Sequence, residues 1–160
     1  MKAHSLSKRE IRDIAGRISK NWPRSIIWNI KSLNAIETEK GGRLLIGEGI
    51  TAIQTKDDLI VPHLVEKDLL SHFPYILVDM GAVGFICNGA NVMRPGITYF
   101  DDFGESEIVV VKDQVHNKSL AIGLSRVDGK TMMNLEKGPV INNLHYVGDI
   151  FWNLKKELRL

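Results

Sequence analysis

The sequence predicts an α+β protein in two parts: a helix followed by a small antiparallel sheet, then a mostly β unit with one short glycine-rich helix. Three observations carry this reading. Helical apolar spacing occurs near the N-terminus, a series of short β-rich pieces follows, and beyond Pro74 come apolar strands interrupted by VDMGAVGFICNGANVMRPGI, Val78 to Ile97. With 160 residues, 44% hydrophobic and 25% charged, the chain suits one ordinary domain or two small ones.

The first element is a helix in SLSKREIRDIAGRISKNW, where Ile11, Ile14, Ile18 and Trp22 share one face. Ser7 and Glu10 form a capping-box pair, and Pro23 stops the helix. Its other faces carry Lys8, Arg9, Arg12, Arg17 and Lys20. The segments SIIWNI, NAIETEK, GRLLIG, ITAIQT and LIVPHL then read as antiparallel strands separated by turns at Lys40-Gly41-Gly42 and Lys56-Asp57-Asp58. VEKDLLSHF reads as a short helix with Val65, Leu69, Leu70 and Phe73 inward, closing a first domain over residues 1–73.

The second domain, residues 74–160, opens with the strand YILVD and a short helix over Met80 to Asn88. EIVVVKD, SLAIGLSRV and PVINNLHYV are further strands, with Asp128-Gly129-Lys130 a turn leading into TMMNLEKG. DIFWNLKKELRL is an amphipathic closing helix with Ile150, Phe151, Leu154 and Leu158 inward and Lys155, Lys156 and Arg159 outward.

Charge is unevenly placed. Residues 1–31 hold eight Lys or Arg against two acids, whereas residues 73–160 hold nine basic against ten acidic residues. A polyanion footprint is therefore expected at the N-terminal end. No run approaches the roughly 18 apolar residues that cross a bilayer, and the opening residues alternate charged with apolar, unlike a signal peptide. Together with the single cysteine, Cys87, this predicts a cytoplasmic protein in a reducing compartment.

The glycines of Val78–Ile97 pose a question of purpose. Asp79 is placed to cap the helix start, and Gly89 to take the left-handed position past its end. Gly81 and Gly84 are different, because glycine inside a helix costs up to about 1 kcal/mol relative to alanine. Two readings stay open: another backbone packs tightly there, or an external backbone such as a sugar-phosphate chain approaches the helix start, where free N–H groups favour anions. A capping Asp79 carboxylate would repel a phosphate on the helix axis.

The stretch resembles the signature of the PUA domain, the RNA-binding module named after pseudouridine synthases and archaeosine transglycosylases. The resemblance rests on the pair Gly81-Ala82 opening a helix, a second pair Gly89-Ala90, and Asn91 followed by Arg94-Pro95-Gly96-Ile97. The later NNLHYVGDIFWNL resembles the closing segment of the malignant T-cell-amplified sequence proteins and their archaeal relatives, in which a pre-PUA domain precedes the PUA domain. This implies an α+β pre-PUA domain followed by a mostly β PUA pseudo-barrel. It also implies RNA lying across Gly81, Ala82, Val83, Gly84, Gly89, Ala90, Asn91, Arg94, Pro95 and Gly96, and across Asn142, Asn143, His145 and Tyr146, with Arg94 supplying charge. Many relatives carry a basic residue where this chain has Gly84, which predicts weaker phosphate attraction here.

No catalytic site, metal or cofactor is expected. Cys87 with His63, His72, His116 or His145 would offer a nucleophile and base, but its apolar setting in GFICNG reads as an inert packed thiol. The acidic stretch Asp101 to Glu107 lacks calcium-loop spacing and reads as a solvated loop. Of the aromatics Tyr99, Phe100, Phe103, Tyr146, Phe151 and Trp152, Tyr146 alone is assigned to the surface.

The resulting expectation is a non-enzymatic protein that binds structured RNA. The resemblance points to tRNA, particularly its acceptor end, or to small-subunit rRNA, in translation initiation or recycling, with the ribosomal subunit and a protein partner as further contacts. Lys8, Arg9, Arg12, Arg17 and Lys20 form a secondary basic surface. The alternatives are an accessory RNA-binding subunit of a tRNA or rRNA modification enzyme, and a protein-interaction module with incidental RNA affinity.

Overall fold

The computed structural model describes residues 3–26 and 29–158. They form two compact units that divide between His72 and Phe73.

In the first unit, β1 (Ala3–Ser5) leads into α1 (Lys8–Asn21). The capping box is present, with Ser7 and Glu10 each satisfying the other's backbone N–H at 3.1 Å. Ile11, Ile14, Ile18 and Trp22 are buried, and the Trp22 indole N–H donates to Ile60 O at 2.9 Å. The sheet is an antiparallel series in the order β1, β2 (Leu33–Glu37), β3 (Arg43–Gly47), β4 (Ile50–Gln54) and β5 (Ile60–Pro62). A single helical turn, α2 (Lys67–Leu70), follows.

Three features here differ from expectation. SIIWNI forms no strand at Ser25, Ile26, Asn29 or Ile30, because Ile26 N–H closes a turn onto Pro23 O at 3.1 Å; Ile27 and Trp28 lie outside the described residues. β1 had no sequence signal. Val65 is exposed rather than inward, although Leu70 and Phe73 are buried.

The second unit is a six-stranded curled sheet, a half-barrel. Its strands run β6 (Tyr75–Val78), β7 (Val92–Met93), β8 (Ile97–Phe100), β9 (Ile108–Asp113), β10 (Ser119–Ser125) and β11 (Pro139–Tyr146) along the chain. In space the order is β7-β11-β10-β9-β6-β8, with β6 and β9 parallel and the other pairs antiparallel. Ile76, Val78, Val109, Val111, Ala121, Val140 and Ile141 fill its core, together with Ile86 from α3 (Met80–Ile86) and Met132 from α4 (Gly129–Met133).

The helix α4 corrects the expected Asp128-Gly129-Lys130 turn: Asp128 accepts from Thr131 N–H at 2.7 Å and caps a helix instead. The closing helix α5 (Ile150–Leu158) buries Phe151 and Leu154 as expected, while Arg159 lies outside the described residues.

Candidate nucleic-acid interface

Between β6 and β7 the chain builds a surface around α3. Asp79 caps the helix, its carboxylate accepting from Ala82 N–H at 3.0 Å, while Asp79 N–H donates to Gly96 O at 2.9 Å. The first turn is thus already served by an anion, so its N–H groups do not form the open anion site considered above. Ile86 is buried, and Ala82 and Val83 pack against the core. The opposite face presents Gly81, Gly84, Phe85 and Asn88, at offsets of three, four and seven, all exposed.

This geometry counts against the packing reading of the helix glycines. A Cβ built at Gly84 meets nothing within 4 Å, and one at Gly81 meets only the Asp79 carboxylate at 3.3 Å. No second backbone packs on this face within the described structure. Beside the glycines, Phe85 is 72% exposed and Met80 44% exposed. An apolar residue type suggested burial for Phe85, and the sequence reading omitted it; the offset from Ile86, which must face in, was the signal available.

Gly89 takes φ +96° past the helix, and a Cβ there would sit 3.3 Å from the Tyr146 ring. Asn143 ties this loop to β11: its side-chain amide donates to Ile86 O and Ala90 O, both at 3.0 Å, and its N–H donates to Asn91 Oδ1 at 2.9 Å. Among the described residues, no hydrogen-bond donor reaches the buried Asn143 Oδ1. Gly96 reaches the same cluster, where a Cβ would touch Ala82 Cβ at 3.4 Å. Gly89, Ala90 and Asn91 therefore meet Asn143 and Tyr146, while Gly96 meets Ala82 on the helix. Tyr146 is half-buried against the core rather than a freely presented ring, while Tyr99, grouped above with the core aromatics, is 46% exposed.

Other expected contacts are turned elsewhere. His145 is 0% exposed, bonded through Nδ1 to Asp149 at 2.8 Å and set edge-on to Phe151. It has no surface to offer RNA. Arg94 donates from Nε to Met132 O at 2.8 Å and lies 5.7 Å from the Phe100 ring, clamping α4 instead of projecting charge outward. Asn142 Oδ1 accepts from Arg126 Nε, and Pro95 is exposed. In the first unit, Lys8, Arg9, Arg12 and Lys20 are exposed. Arg17 is engaged by Asp13 Oδ2 at 3.1 Å and Asp58 O at 2.9 Å.

Burial pushes the Cys87 thiol above its ordinary value, with Lys118 opposing weakly, so it is a poor nucleophile at neutral pH. Three candidate bases have other partners: His63 accepts from Val65 N–H, His72 meets Ser25 Oγ at 2.9 Å, and His145 pairs with Asp149. In the acidic loop, Asp101 accepts from Tyr75 N–H and Glu107 from Gly104 N–H. Among the described residues no group of three or more His, Cys, Asp or Glu is arranged to hold a metal, and no helix is long and apolar enough to cross a membrane.

A groove of about 740 Å³ lies in the first unit, lined by Ser25, Gly49, Ile50, Val65, Glu66 and His72 among others. The α3 surface is an open face rather than a cavity, as suits a chain-like ligand more than a small molecule.

Comparison with known proteins agrees with this geometry. The PUA domain model matches residues 74–147. An uncharacterized protein of Methanocaldococcus jannaschii is 44% identical over 104 residues, 62% of this chain and 63% of that protein. Translation machinery-associated protein 20 of Schizosaccharomyces pombe is 36% identical over 110 residues, 64% of this chain and 60% of that one. Malignant T-cell-amplified sequence 2 of Homo sapiens is 33% identical over 95 residues, 54% and 52% of the two chains. The matches span less than two thirds of the length of these curated relatives. In fold, the chain is similar to a PUA-domain crystal structure from Aeropyrum pernix, with TM-score 0.81 at 24% identity over 97% of this chain and 91% of that one. It is also similar to a hypothetical protein of Pyrococcus horikoshii, with TM-score 0.77 at 27% identity over 96% and 99%. The curled sheet, the glycine-rich helix and its loop lie within the residues that match the PUA domain model, and part of the chain is similar to malignant T-cell-amplified sequence and translation machinery-associated proteins.

Proposed function

We propose that this protein binds structured RNA without catalysing a reaction, receiving it on the α3 face, the loop from Gly89 to Asn91 and the adjoining part of β11. The observation that carries the reading is the bare face itself: two exposed helix glycines, with open space above Gly84 and only the Asp79 carboxylate near Gly81, beside a largely exposed Phe85. Glycine lets a sugar-phosphate chain come close, and an exposed aromatic ring stacks an unpaired base irrespective of its identity. The similarity to translation machinery-associated protein 20 supports a setting in translation; the ligand in this reading is tRNA, particularly its acceptor end, or small-subunit rRNA, and the role is in initiation or recycling in the cytoplasm. In this reading the first unit is the pre-PUA domain, with its boundary near residue 73.

Fluorescence anisotropy with deproteinised tRNA, intact and lacking its 3′-terminal CCA, tests this. Phe85→Ala should weaken binding by about 1–3 kcal/mol, the usual loss of one base–aromatic stack. Circular dichroism should be unchanged, because Phe85 is outside the core. Equal binding by wild type and Phe85→Ala would remove the α3 face from the site. The exposed Met80 and Phe85 also favour a second reading, a protein-docking surface, which would show little salt dependence and no discrimination between the two tRNA forms.

A further inference from the structure

We propose that α1 is a second RNA-contact surface on which a phosphodiester backbone lies directly against the helix at Gly16; this rests on the RNA-binding reading above. α1 buries Ile11, Ile14 and Ile18, and the face turned away carries Arg9, Arg12, Gly16, Ser19 and Lys20, all exposed. Both acids of the helix are occupied: Glu10 by the Ser7 cap and Arg43, Asp13 by Arg17. Among the described residues, no acidic side chain forms an ion pair with Arg9, Arg12 or Lys20.

Gly16 is the informative residue. It lies well inside a 14-residue helix, has no left-handed φ, and a Cβ there would meet nothing within 4 Å. Capping, backbone conformation and internal packing all fail to explain an unfavourable helix residue at that point. Arg9 and Lys20 stand about 17 Å apart along the axis at 1.5 Å per residue, with Arg12 and the Arg17-paired Asp13 between them and a saddle bare of a side chain at Gly16. That shape suits a narrow polyanionic strand crossing the helix. A lipid surface would call for bulky apolar residues on this face, and it has none.

The test uses the full chain, deproteinised tRNA and a salt series. The combined Arg9→Gln, Arg12→Gln and Lys20→Gln variant should reduce the salt slope by about 2, at roughly 0.7–0.9 per lost phosphate contact. Gly16→Gln keeps the net charge and favours the helix while filling the saddle, and it should raise Tm yet weaken binding about tenfold. If Gly16→Gln binds like wild type, the backbone does not lie on the helix and the proposal is overturned. If all α1 variants bind normally while Phe85→Ala loses affinity, the α1 contact falls and the α3 reading stands. Loss on the α1 variants with Phe85→Ala unaffected does the reverse, and a wild type that binds no RNA overturns both. Polyglutamate binding as tightly as tRNA would assign the face to an acidic protein and likewise overturn the proposal.

Discussion

Gly84 and Gly89 are five residues apart and answer to opposite constraints. Gly84 has helical backbone and free space where a side chain would sit, so the fold gains nothing from its being glycine. Gly89 has φ +96° and the Tyr146 ring against it, so any side chain there is strained. Gly84→Ala should therefore stabilise the protein by up to about 1 kcal/mol, whereas Gly89→Ala should destabilise it by about 1–3 kcal/mol. Equilibrium urea unfolding reads both as shifts of midpoint in opposite directions at constant slope. If the bare face serves a ligand, Gly84→Ala must be more stable and yet weaker in RNA binding. A destabilised Gly84→Ala would mean that the glycine serves the fold, and the observation behind the functional proposal would lose its force.

At the level of elements, Asp149 holds the closing helix to the sheet. One carboxylate oxygen accepts from Trp152 N–H at 2.8 Å and caps α5; the other accepts from Tyr146 N–H at 3.0 Å and meets His145 Nδ1 at 2.8 Å. Burial pushes its pKa up, but the His145 hydrogen bond, the attraction of that ring and the two backbone donors outweigh burial and hold it below the ordinary carboxylate value. A depressed folded value contributes stability that is present above the unfolded value near 3.9 and lost as pH falls through the folded one. Asp113 and Asp128 are lowered by their own hydrogen bonds and act in the same window. Asp149→Asn should thus cost about 1.5–3 kcal/mol at pH 7, a gap that narrows below about pH 4; an equal gap at pH 3 would contradict the assignment. The same element shows what sequence could tell. α1, its cap and β2 to β5 were legible because apolar period, capping pair and turn residues are local signals. The α4 helix was not, since Asp128-Gly129 opens either a turn or a helix; here Gly129 N–H donates to Phe103 O at 2.9 Å, and a Cβ on Gly129 would meet Asp102 at 3.4 Å and Phe100 at 3.6 Å, a non-local fact. His145 looked available because strand residues near polar neighbours often are. Only the return of Asp149 across a tight corner seals it, just as only a contact spanning 57 residues makes Asn143 part of the site.

For the whole molecule, the division between His72 and Phe73 separates two surfaces of different character. The second unit carries the glycine face but a slightly acidic charge balance, and the first carries the excess of cations. Affinity for a polyanion scales with phosphates neutralised, whereas recognition of an unpaired end comes from stacking and close approach, which are less sensitive to salt. The two contributions should therefore separate with the chain. Residues 73–160 contain their own core, from Ile76 and Val78 through Val109, Val111, Ala121, Val140 and Ile141 to Met132, and are of a size at which small domains fold alone. Expressed by itself, this fragment should unfold cooperatively in urea. It should keep the difference in affinity between tRNA with and without CCA, but bind more weakly overall, with a shallower salt slope than the full chain. A fragment that folds and retains the full slope would place the electrostatic contact within the second unit. One that folds and loses the end discrimination would show that recognition of the acceptor end needs the first unit as well, so the division of labour inferred from charge and glycine placement would be wrong.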